Sequence, residues 1–194
     1  MTNDETTPND ADLMASLQAG DDHALNVLMD RWQMPLRRFI YRSLQNEADA
    51  LDLAQETFVR VYSHRAKFHP GAKFSTWMFS IALNLCRDRA RRGKTRRMAF
   101  VDESSLAAAS NRAAESASIG PDADLVRAET ADAVRSAVDA LPEPLKSAVV
   151  LCEYENLSLA EAGVATGCSA KAVETRLYRA RTLLRQSLSK YFVK

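Results

Sequence analysis

The sequence predicts an all-α protein: two small helical domains joined by a flexible linker, the second containing a helix-turn-helix motif. Glycine and proline number only six each among 194 residues, which disfavours the many turns of a β protein. Apolar residues recur at helical spacing in two long stretches of the chain. An acidic stretch rich in alanine and serine, without that spacing, separates them and has the composition of a linker.

The first domain is predicted over residues 11–95, after a mobile tail at residues 1–10. A short first helix is expected to stop at Gly20, because glycine favours helix ends. The apolar periodicity of the second helix continues through Pro35. Proline lacks an amide hydrogen and clashes with the preceding turn, so we expect it to kink or divide this helix.

Two further helices are predicted to complete the first domain. Asp49 can cap the third, which runs to about Ala66. Ser75 can cap the fourth, which ends near Gly93. Residues 96–124 are the predicted linker.

The second domain is predicted over residues 125–194. Ser158 and Glu161 have the spacing of a capping box, in which each residue bonds the other's backbone amide. Gly167 is expected to end that short helix, and Ser169 to cap a longer basic helix. Short helix, glycine turn and longer helix are typical of a helix-turn-helix. An ordinary αα-hairpin within a bundle would give the same pattern.

The net charge of +1 conceals four blocks of opposite sign. Residues 1–30 hold seven acids and no Lys or Arg, whereas residues 31–100 hold fifteen bases and five acids. Residues 101–145 hold nine acids and three bases, and residues 146–194 hold eight bases and four acids. Two basic segments separated by an acidic one predict two modules that each contact a polyanion. Chance clustering on charged helical surfaces is the alternative.

Several classes of function are excluded by what the sequence lacks. Cys86, Cys152 and Cys168 are scattered, which fits a reducing compartment better than a disulfide or zinc framework. The residues show no metal-binding, phosphate-binding or nucleophile motif, so we expect no enzyme activity, no metal and no cofactor. The longest nearly apolar run is too short to span a bilayer, and the N-terminus is acidic. We therefore expect a cytoplasmic protein without direct membrane insertion.

Three groups of motifs resemble a known family, the extracytoplasmic-function (ECF) sigma factors of bacterial RNA polymerase. They are DALDLAQETF at 49–58 with VRVY at 59–62; FSTW at 74–77 with IALNLCRD at 81–88; and LPE at 141–143, SLAE at 158–161, GCS at 167–169 and VETRLYRAR at 173–181. The resemblance covers about residues 10–95 and 125–190. It implies that the first domain is sigma region 2, which binds polymerase and reads the minus-ten element. The second would be sigma region 4, which reads the minus-thirty-five element.

The resemblance implies a polymerase-binding surface on the third helix, at Asp49, Asp52, Leu53, Gln55, Glu56 and Phe58. Helical spacing independently places Asp49, Asp52 and Glu56 on one stripe. An ordinary solvated face would look the same. The family's first motif usually has an acid where this chain has Leu51, which weakens the negative face.

The implied minus-ten residues are Lys73, Trp77, Asn84, Arg87, Asp88 and Arg91. Trp77 can stack on a base, but an aromatic residue of this kind is more often part of the core. The implied minus-thirty-five residues are Ser169, Lys171, Ala172, Thr175, Arg176 and Arg179. Within this group, Ala172, Thr175, Arg176 and Arg179 are expected to face away from the apolar stripe, where arginines can contact guanines or phosphates. Ala162-Gly163 replaces a large aliphatic residue followed by alanine, which should loosen the packing.

The sequence therefore predicts a transcription initiation factor whose partners are core RNA polymerase and promoter DNA. The resemblance also implies control by an anti-sigma factor. A stand-alone helix-turn-helix regulator and a structural helical adaptor are the alternatives; the first would not co-purify with polymerase, and the second would not bind DNA. We expect the two domains to be loosely placed in the free chain. Cys168 is expected to be a buried, inert thiol rather than an oxidation sensor.

Overall fold

The computed structural model describes residues 8–100 and 121–192. The N-terminal domain is formed by α1 (Asp10–Gln18), α2 (His23–Leu44), α3 (Glu47–Ser63), a 3-10 turn (Arg65–Lys67) and α4 (Phe74–Phe100). The C-terminal domain is formed by α5 (Pro121–Asp139), α6 (Glu143–Val149), a π-helical turn (Val150–Tyr154), α7 (Leu159–Thr166) and α8 (Ala170–Phe192). All regular structure in the described ranges is helical, as the sequence predicts. Most of the predicted tail and of the predicted linker lies outside these ranges.

The helix boundaries of the N-terminal domain differ from the sequence prediction at the start of α3 and at both ends of α4. Asn46, not Asp49, caps α3: its side chain accepts a 2.9 Å hydrogen bond from the amide of Asp49, which lies in the first turn. Helix α4 begins at Phe74, so Ser75 is a buried first-turn residue rather than a cap. The same helix continues beyond Gly93 to Phe100. Pro35 does not divide α2, which is one helix from His23 to Leu44.

Aromatic side chains form the core of the N-terminal domain. The rings of Phe39 and Phe79 pack with centroids 4.8 Å apart, and the Trp32 ring lies edge-on to Phe79 at 6.1 Å. Phe68 and Phe74 continue this cluster toward the beginning of α4. Because the rings come from α2, α4 and the preceding loop, their packing fixes the orientation of α4.

The C-terminal domain contains the predicted helix-turn-helix. Ser158 and Glu161 form the capping box, with the Ser158 amide donating to the Glu161 carboxylate at 2.7 Å. Gly167 ends α7 with a left-handed φ of 70°, a conformation that costs glycine little. The Ser169 hydroxyl then accepts a 3.2 Å hydrogen bond from the amide of Ala172 at the start of α8. Each of these signals is local, and each prediction is confirmed.

Gly163 tightens the helix-turn-helix, contrary to the expectation that Ala162-Gly163 would loosen it. A Cβ atom at residue 163 would lie 2.8 Å from the backbone oxygen of Cys168 and 3.3 Å from the amide nitrogen of Ala170. The Cys168 amide donates to the Gly163 carbonyl at 2.9 Å. The absence of a side chain therefore lets the turn lie directly against α7.

The two domains are packed together, which contradicts the expected loose placement. Helix α7 packs against α4, and the π-helical turn packs against α2. One continuous cluster of buried side chains includes Leu83 of α4 and Leu151 of the π-helical turn. The regions that flank the predicted linker thus form one body.

Candidate functional surfaces

The exposed face of α3 combines acidic, amide and apolar side chains. Asp52 and Gln55 are exposed, whereas Asp49 and Glu56 are half-buried. Asp49 forms an ion pair with Arg89 of α4, and Glu56 accepts a 2.9 Å hydrogen bond from Arg60 one turn later. The predicted acidic stripe is present, with Asp52 its most accessible acid.

Two predicted members of the α3 surface are core residues. Leu53 and Phe58 are 6% and 4% exposed, so they position the helix rather than meet a partner. Leu51 and Val59 are instead 49% and 59% exposed, on the same face as Gln55. From the sequence, Leu51 was interpreted only as a missing acid. The signal that could have predicted this apolar face is that Leu51 and Val59 are large apolar residues out of register with the buried positions of α3.

Four of the predicted minus-ten residues share one strip of α4. Trp77, Asn84, Asp88 and Arg91 are separated by seven, four and three positions, which places them on one helix face. Asn84, Asp88 and Arg91 are exposed. Trp77 is half-buried, and its ring packs against Phe68 at 5.3 Å and Phe74 at 6.5 Å. The strip therefore has an aromatic end anchored in the core and a polar end open to solvent.

The other two predicted minus-ten residues contact the C-terminal domain. The Lys73 ammonium lies 3.1 Å from a carboxylate oxygen of Glu161 in α7. The Arg87 Nε donates a 2.8 Å hydrogen bond to Glu143 of α6. Two of the predicted DNA-binding bases are thus paired with carboxylates of the C-terminal domain.

The exposed face of α8 differs from the prediction at Arg176. Lys171, Thr175 and Arg179 are exposed, but Arg176 is half-buried and donates from Nη1 to the Cys168 sulfur at 3.3 Å. Arg176 thus lies at the edge of the apolar stripe rather than opposite it. Tyr178, 73% exposed between Thr175 and Arg179 on the solvent face, was missed by the sequence analysis.

Cys168 and Ala172 are half-buried in the turn and first turn of α8. The Cys168 sulfur lies 3.1 Å from the Thr166 hydroxyl as well as next to Arg176. Its sulfur thus helps to hold Arg176 near the turn, a contact that the expectation of a buried, inert thiol did not include.

Three glutamates between the domains have shifted pKa values. Burial raises the pKa of Glu155, and its ion pair with Arg42 offsets that effect only in part. At Glu143, burial acts in the same direction, but hydrogen bonds from Arg87 and Ser147 outweigh it and lower the pKa. At Glu161, the hydrogen bonds from Ser158 lower the pKa. When the pH falls below the ordinary pKa of glutamate, the contacts of Glu143 and Glu161 therefore weaken, because their carboxylates become protonated. Glu155 behaves in the opposite way, because burial favours its protonated form.

Two other features, a metal site and a membrane-spanning helix, are not found among the described residues. Within residues 8–100 and 121–192, no group of three or more His, Cys, Asp or Glu side chains is arranged to hold a metal ion. In the same part of the chain, no helix combines the length and apolar character needed to cross a membrane.

Two family models match the chain in the order of its domains. Sigma-70 region 2 matches residues 28–97, and Sigma-70 region 4 matches residues 131–184. The first match covers most of α2, all of α3 and most of α4, and the second covers α7 and the first part of α8, which form the helix-turn-helix. Both describe parts of sigma-70 proteins, which are transcription initiation factors rather than enzymes.

One similar protein and two similar structures indicate which kind of sigma factor this chain is. The ECF RNA polymerase sigma factor SigW of Bacillus subtilis is 30% identical over 89% of this chain and 92% of its own length. CnrH, in complex with the cytosolic domain of CnrY, is 27% identical with a TM-score of 0.67, over 93% of this chain and 97% of its own. RpoE of Bartonella quintana, in complex with the anti-sigma factor NepR, has the same fold at 20% identity and a TM-score of 0.67, over 84% of this chain and 96% of its own. The chain belongs to the ECF RNA polymerase sigma factors.

Proposed function

We propose that this sigma factor binds core polymerase through α3, reads the minus-ten element with α4 and reads the minus-thirty-five element with α8. It would act in the cytoplasm, on promoters of a stress response. The observation that carries this proposal is the presence in one chain of three distinct exposed faces: the mixed acidic and apolar face of α3, the polar strip of α4 and the solvent face of α8. A stand-alone DNA-binding regulator would not need the first of these faces.

The polymerase surface is tested by reversing its exposed charge. Asp52→Arg combined with Glu56→Arg should abolish binding to core polymerase in a titration, because the acidic stripe becomes basic. Asp22→Arg combined with Asp30→Arg, two exposed acids in the α2 region, makes the same charge change and should bind as the wild type does. Unchanged affinity of the α3 variant would remove α3 from the interface, provided that circular dichroism shows both variants to be folded.

The minus-thirty-five surface is tested by truncating its arginines. Arg179→Ala should cost about 1–3 kcal/mol of promoter affinity and relax base preference if Arg179 contacts bases, whereas loss of a phosphate contact would weaken all sequences alike. Arg176→Ala tests whether the arginine leaves Cys168 to reach DNA. Arg185→Ala, an exposed arginine later on α8, is the matched control and should leave base preference unchanged. Wild-type affinity and preference in both variants would show that α8 does not dock as proposed.

We also propose that an anti-sigma factor controls the chain by placing a helix between the domains. An apolar groove of about 650 Å³ runs between α2 and α5, and Tyr41, Val134, Val138 and Tyr154 are among its lining residues. Arg38, Arg42 and Arg135 also line it, which suits an amphipathic helix with acidic flanks. The similar protein CnrH has a partner's cytosolic domain bound to it.

The groove assignment is tested with Val134→Arg. This variant should stop co-purification of a candidate inhibitor, because a charge would enter the apolar floor, and should leave core polymerase binding intact. Ser136→Arg, at an exposed residue of α5 that does not line this groove, is the matched charge control. An inhibitor that still binds the Val134→Arg chain would place its contact elsewhere.

A further inference from the structure

The helix that we propose to read the minus-thirty-five element carries a single acid, Glu174. Residues 170–192 contain six Lys and Arg residues and no other Asp or Glu. Glu174 lies in the second turn of α8 and is exposed, like its neighbours Lys171, Thr175 and Tyr178. In a helix-turn-helix, the N-terminal residues of the second helix contact the edges of the bases. Glu174 therefore lies on the part of α8 that DNA would meet.

The stability of α8 does not explain an acid at this position. The Lys171 ammonium donates to the Glu174 carboxylate at 2.8 Å, but the two side chains are 82% and 54% exposed, and exposed pairs of this kind contribute little. A base that precedes its acid is also the less favourable order along a helix. The first turn of α8 contains no acid, and Glu174 lies beyond that turn, where the helix dipole has little effect.

A carboxylate on this face opposes DNA binding unless it accepts a hydrogen bond from a base. The phosphates of a duplex repel an acid, whereas the basic side chains of α8 supply the general attraction. The donors that bases present in the major groove are the amino groups of cytosine, at N4, and of adenine, at N6, and glutamate characteristically accepts from cytosine N4. Glu174 can thus discriminate between bases without adding general affinity.

The Lys171–Glu174 pair has the spacing of one edge of a C·G base pair. The Lys171 Nζ and the Glu174 Oε2 are 2.8 Å apart. Cytosine N4 donates to guanine O6 across the base pair at about 2.9 Å, so the edge presents a donor and an acceptor at nearly the same separation. The ammonium can donate to guanine O6 and N7 while the carboxylate accepts from cytosine N4. In a T·A pair, the thymine methyl group lies beside the corresponding acceptor and would crowd the ammonium.

We infer that Glu174 is a specificity-determining residue that selects cytosine in the minus-thirty-five element, with Lys171 bound to the guanine of the same base pair. This inference rests on the proposed function, because it requires α8 to lie in the major groove. The ion pair is already formed in the free chain, so the donor and the acceptor are held side by side before DNA binds.

The experiment determines base preference with holoenzyme made from core polymerase and the full-length chain. A pool of duplexes randomised over the length of a promoter is selected for binding, and the retained duplexes are sequenced. The parent chain should enrich cytosine at a position of the upstream element where Glu174→Ala shows no preference. Competition between the selected duplex and its T·A substitute at that position should give an affinity ratio of about five- to tenfold for the parent and about one for Glu174→Ala.

Three further variants sharpen the assignment. Glu174→Gln should move the preference from cytosine toward adenine, because an amide binds adenine N6 and N7. Lys171→Ala should relax the same base pair, and combining it with Glu174→Ala should relax no other position. Glu153→Gln is the matched control: Glu153 is an exposed acid of the C-terminal domain, paired with Arg181 of α8 at 2.6 Å, and its loss should leave the cytosine preference unchanged.

An acid that serves only as surface charge gives a different result. Glu174→Ala would then strengthen binding to all duplexes alike without changing the preferred bases, which would overturn the inference. Relaxation of different base pairs by Glu174→Ala and Lys171→Ala would also overturn it. Circular dichroism checks that the variants are folded.

Arg179→Ala distinguishes failure of this inference from failure of the proposed function. If Arg179→Ala alters the preferred upstream element and the Glu174 variants do not, only the assignment of Glu174 has failed. If the parent holoenzyme enriches no upstream element, the proposed reading of the minus-thirty-five element has failed, and the assignment of Glu174 fails with it.

Discussion

The two domains are stabilised by different features. In the N-terminal domain, large rings such as Phe39, Phe74 and Phe79 are almost fully buried and set the angles between helices. Among the described residues, Leu151 is the sole member of the C-terminal domain in the set of largest, almost fully buried side chains. That domain instead depends on the capping box, on Gly163 and on the left-handed Gly167.

This contrast predicts which kinds of substitution destabilise each domain most. A core of interlocked rings transmits the loss of one side chain to every helix that touches it. A compact helix-turn-helix built on short helices is sensitive to backbone space and to capping groups instead. The N-terminal domain should therefore respond most to truncations, and the C-terminal domain to enlargements and lost caps.

The largest effect is expected for Phe79→Ala in the N-terminal domain. The Phe79 ring contacts those of Trp32 and Phe39, so its removal leaves a cavity and should lower the free energy of unfolding by about 3–5 kcal/mol. Urea denaturation followed by circular dichroism measures this loss. Val59→Ala, on the exposed face of α3, should change it by less than about 0.5 kcal/mol. A small effect of Phe79→Ala would refute the ring-centred core.

The next effect is expected for Gly163→Ala in the C-terminal domain. The new methyl group would meet the Cys168 carbonyl at 2.8 Å, so the turn must shift, at a cost of about 1–3 kcal/mol. Gly93→Ala is the matched control, because a Cβ at Gly93 meets nothing within 4 Å. Thermal unfolding of both variants tests the difference. If Gly163→Ala is neutral or stabilising, the tight turn is not a constraint on this domain.

A smaller difference is expected between two capping residues. Ser158→Ala removes the cap of the eight-residue α7 and should cost about 1 kcal/mol, since the amide of Glu161 loses its acceptor. Asn46→Ala removes the equivalent bond from the seventeen-residue α3. We expect a lower cost there, because more of the longer helix is held by core packing. Equal losses of unfolding free energy in the two variants would show that dependence on capping does not distinguish the domains.

The smallest effects concern one left-handed residue in each domain. Gln45 after α2 and Asn156 after the π-helical turn have φ values of 54° and 55°. Gln45→Gly should stabilise the fold by a few tenths to about 1 kcal/mol by relieving a conformation that glutamine rarely adopts. Asn156→Gly should gain less, because asparagine tolerates this region. A larger gain at Asn156 than at Gln45, measured by urea denaturation, would contradict this ranking.

Local signals in the sequence were sufficient for most of the fold. The helix-turn-helix was predicted from Ser158, Glu161, Gly167 and Ser169, each of which acts on a backbone group within a few residues of itself. The caps of α3 and α4 were predicted wrongly, because Asn46 competes with Asp49 for the start of one helix and residue 74 already belongs to the other. Local patterns identify a helix more securely than its first residue.

The residue positions that the sequence predicted wrongly, and the contact that it did not predict, are set by tertiary packing. Periodicity placed Arg176 on the open face of α8, but the neighbouring turn brings the Cys168 sulfur within 3.3 Å of its guanidinium. Leu53 and Phe58 belonged to a motif that implied contact with polymerase, and the fold uses them in its core. The packing of α4 against α7 joins residues far apart in the chain, beyond the range of any local pattern.

The aromatic cluster gives the N-terminal domain an optical signal of its own. The chain has two tryptophans, Trp32 and Trp77, and both belong to that cluster. Trp32 donates its indole hydrogen to Asp10 at 3.0 Å, whereas Trp77 lies at the end of the proposed minus-ten strip. Intrinsic tryptophan fluorescence therefore reports on one half of the molecule, and quenching by a stacked base would change the emission of Trp77 while that of Trp32 stays constant.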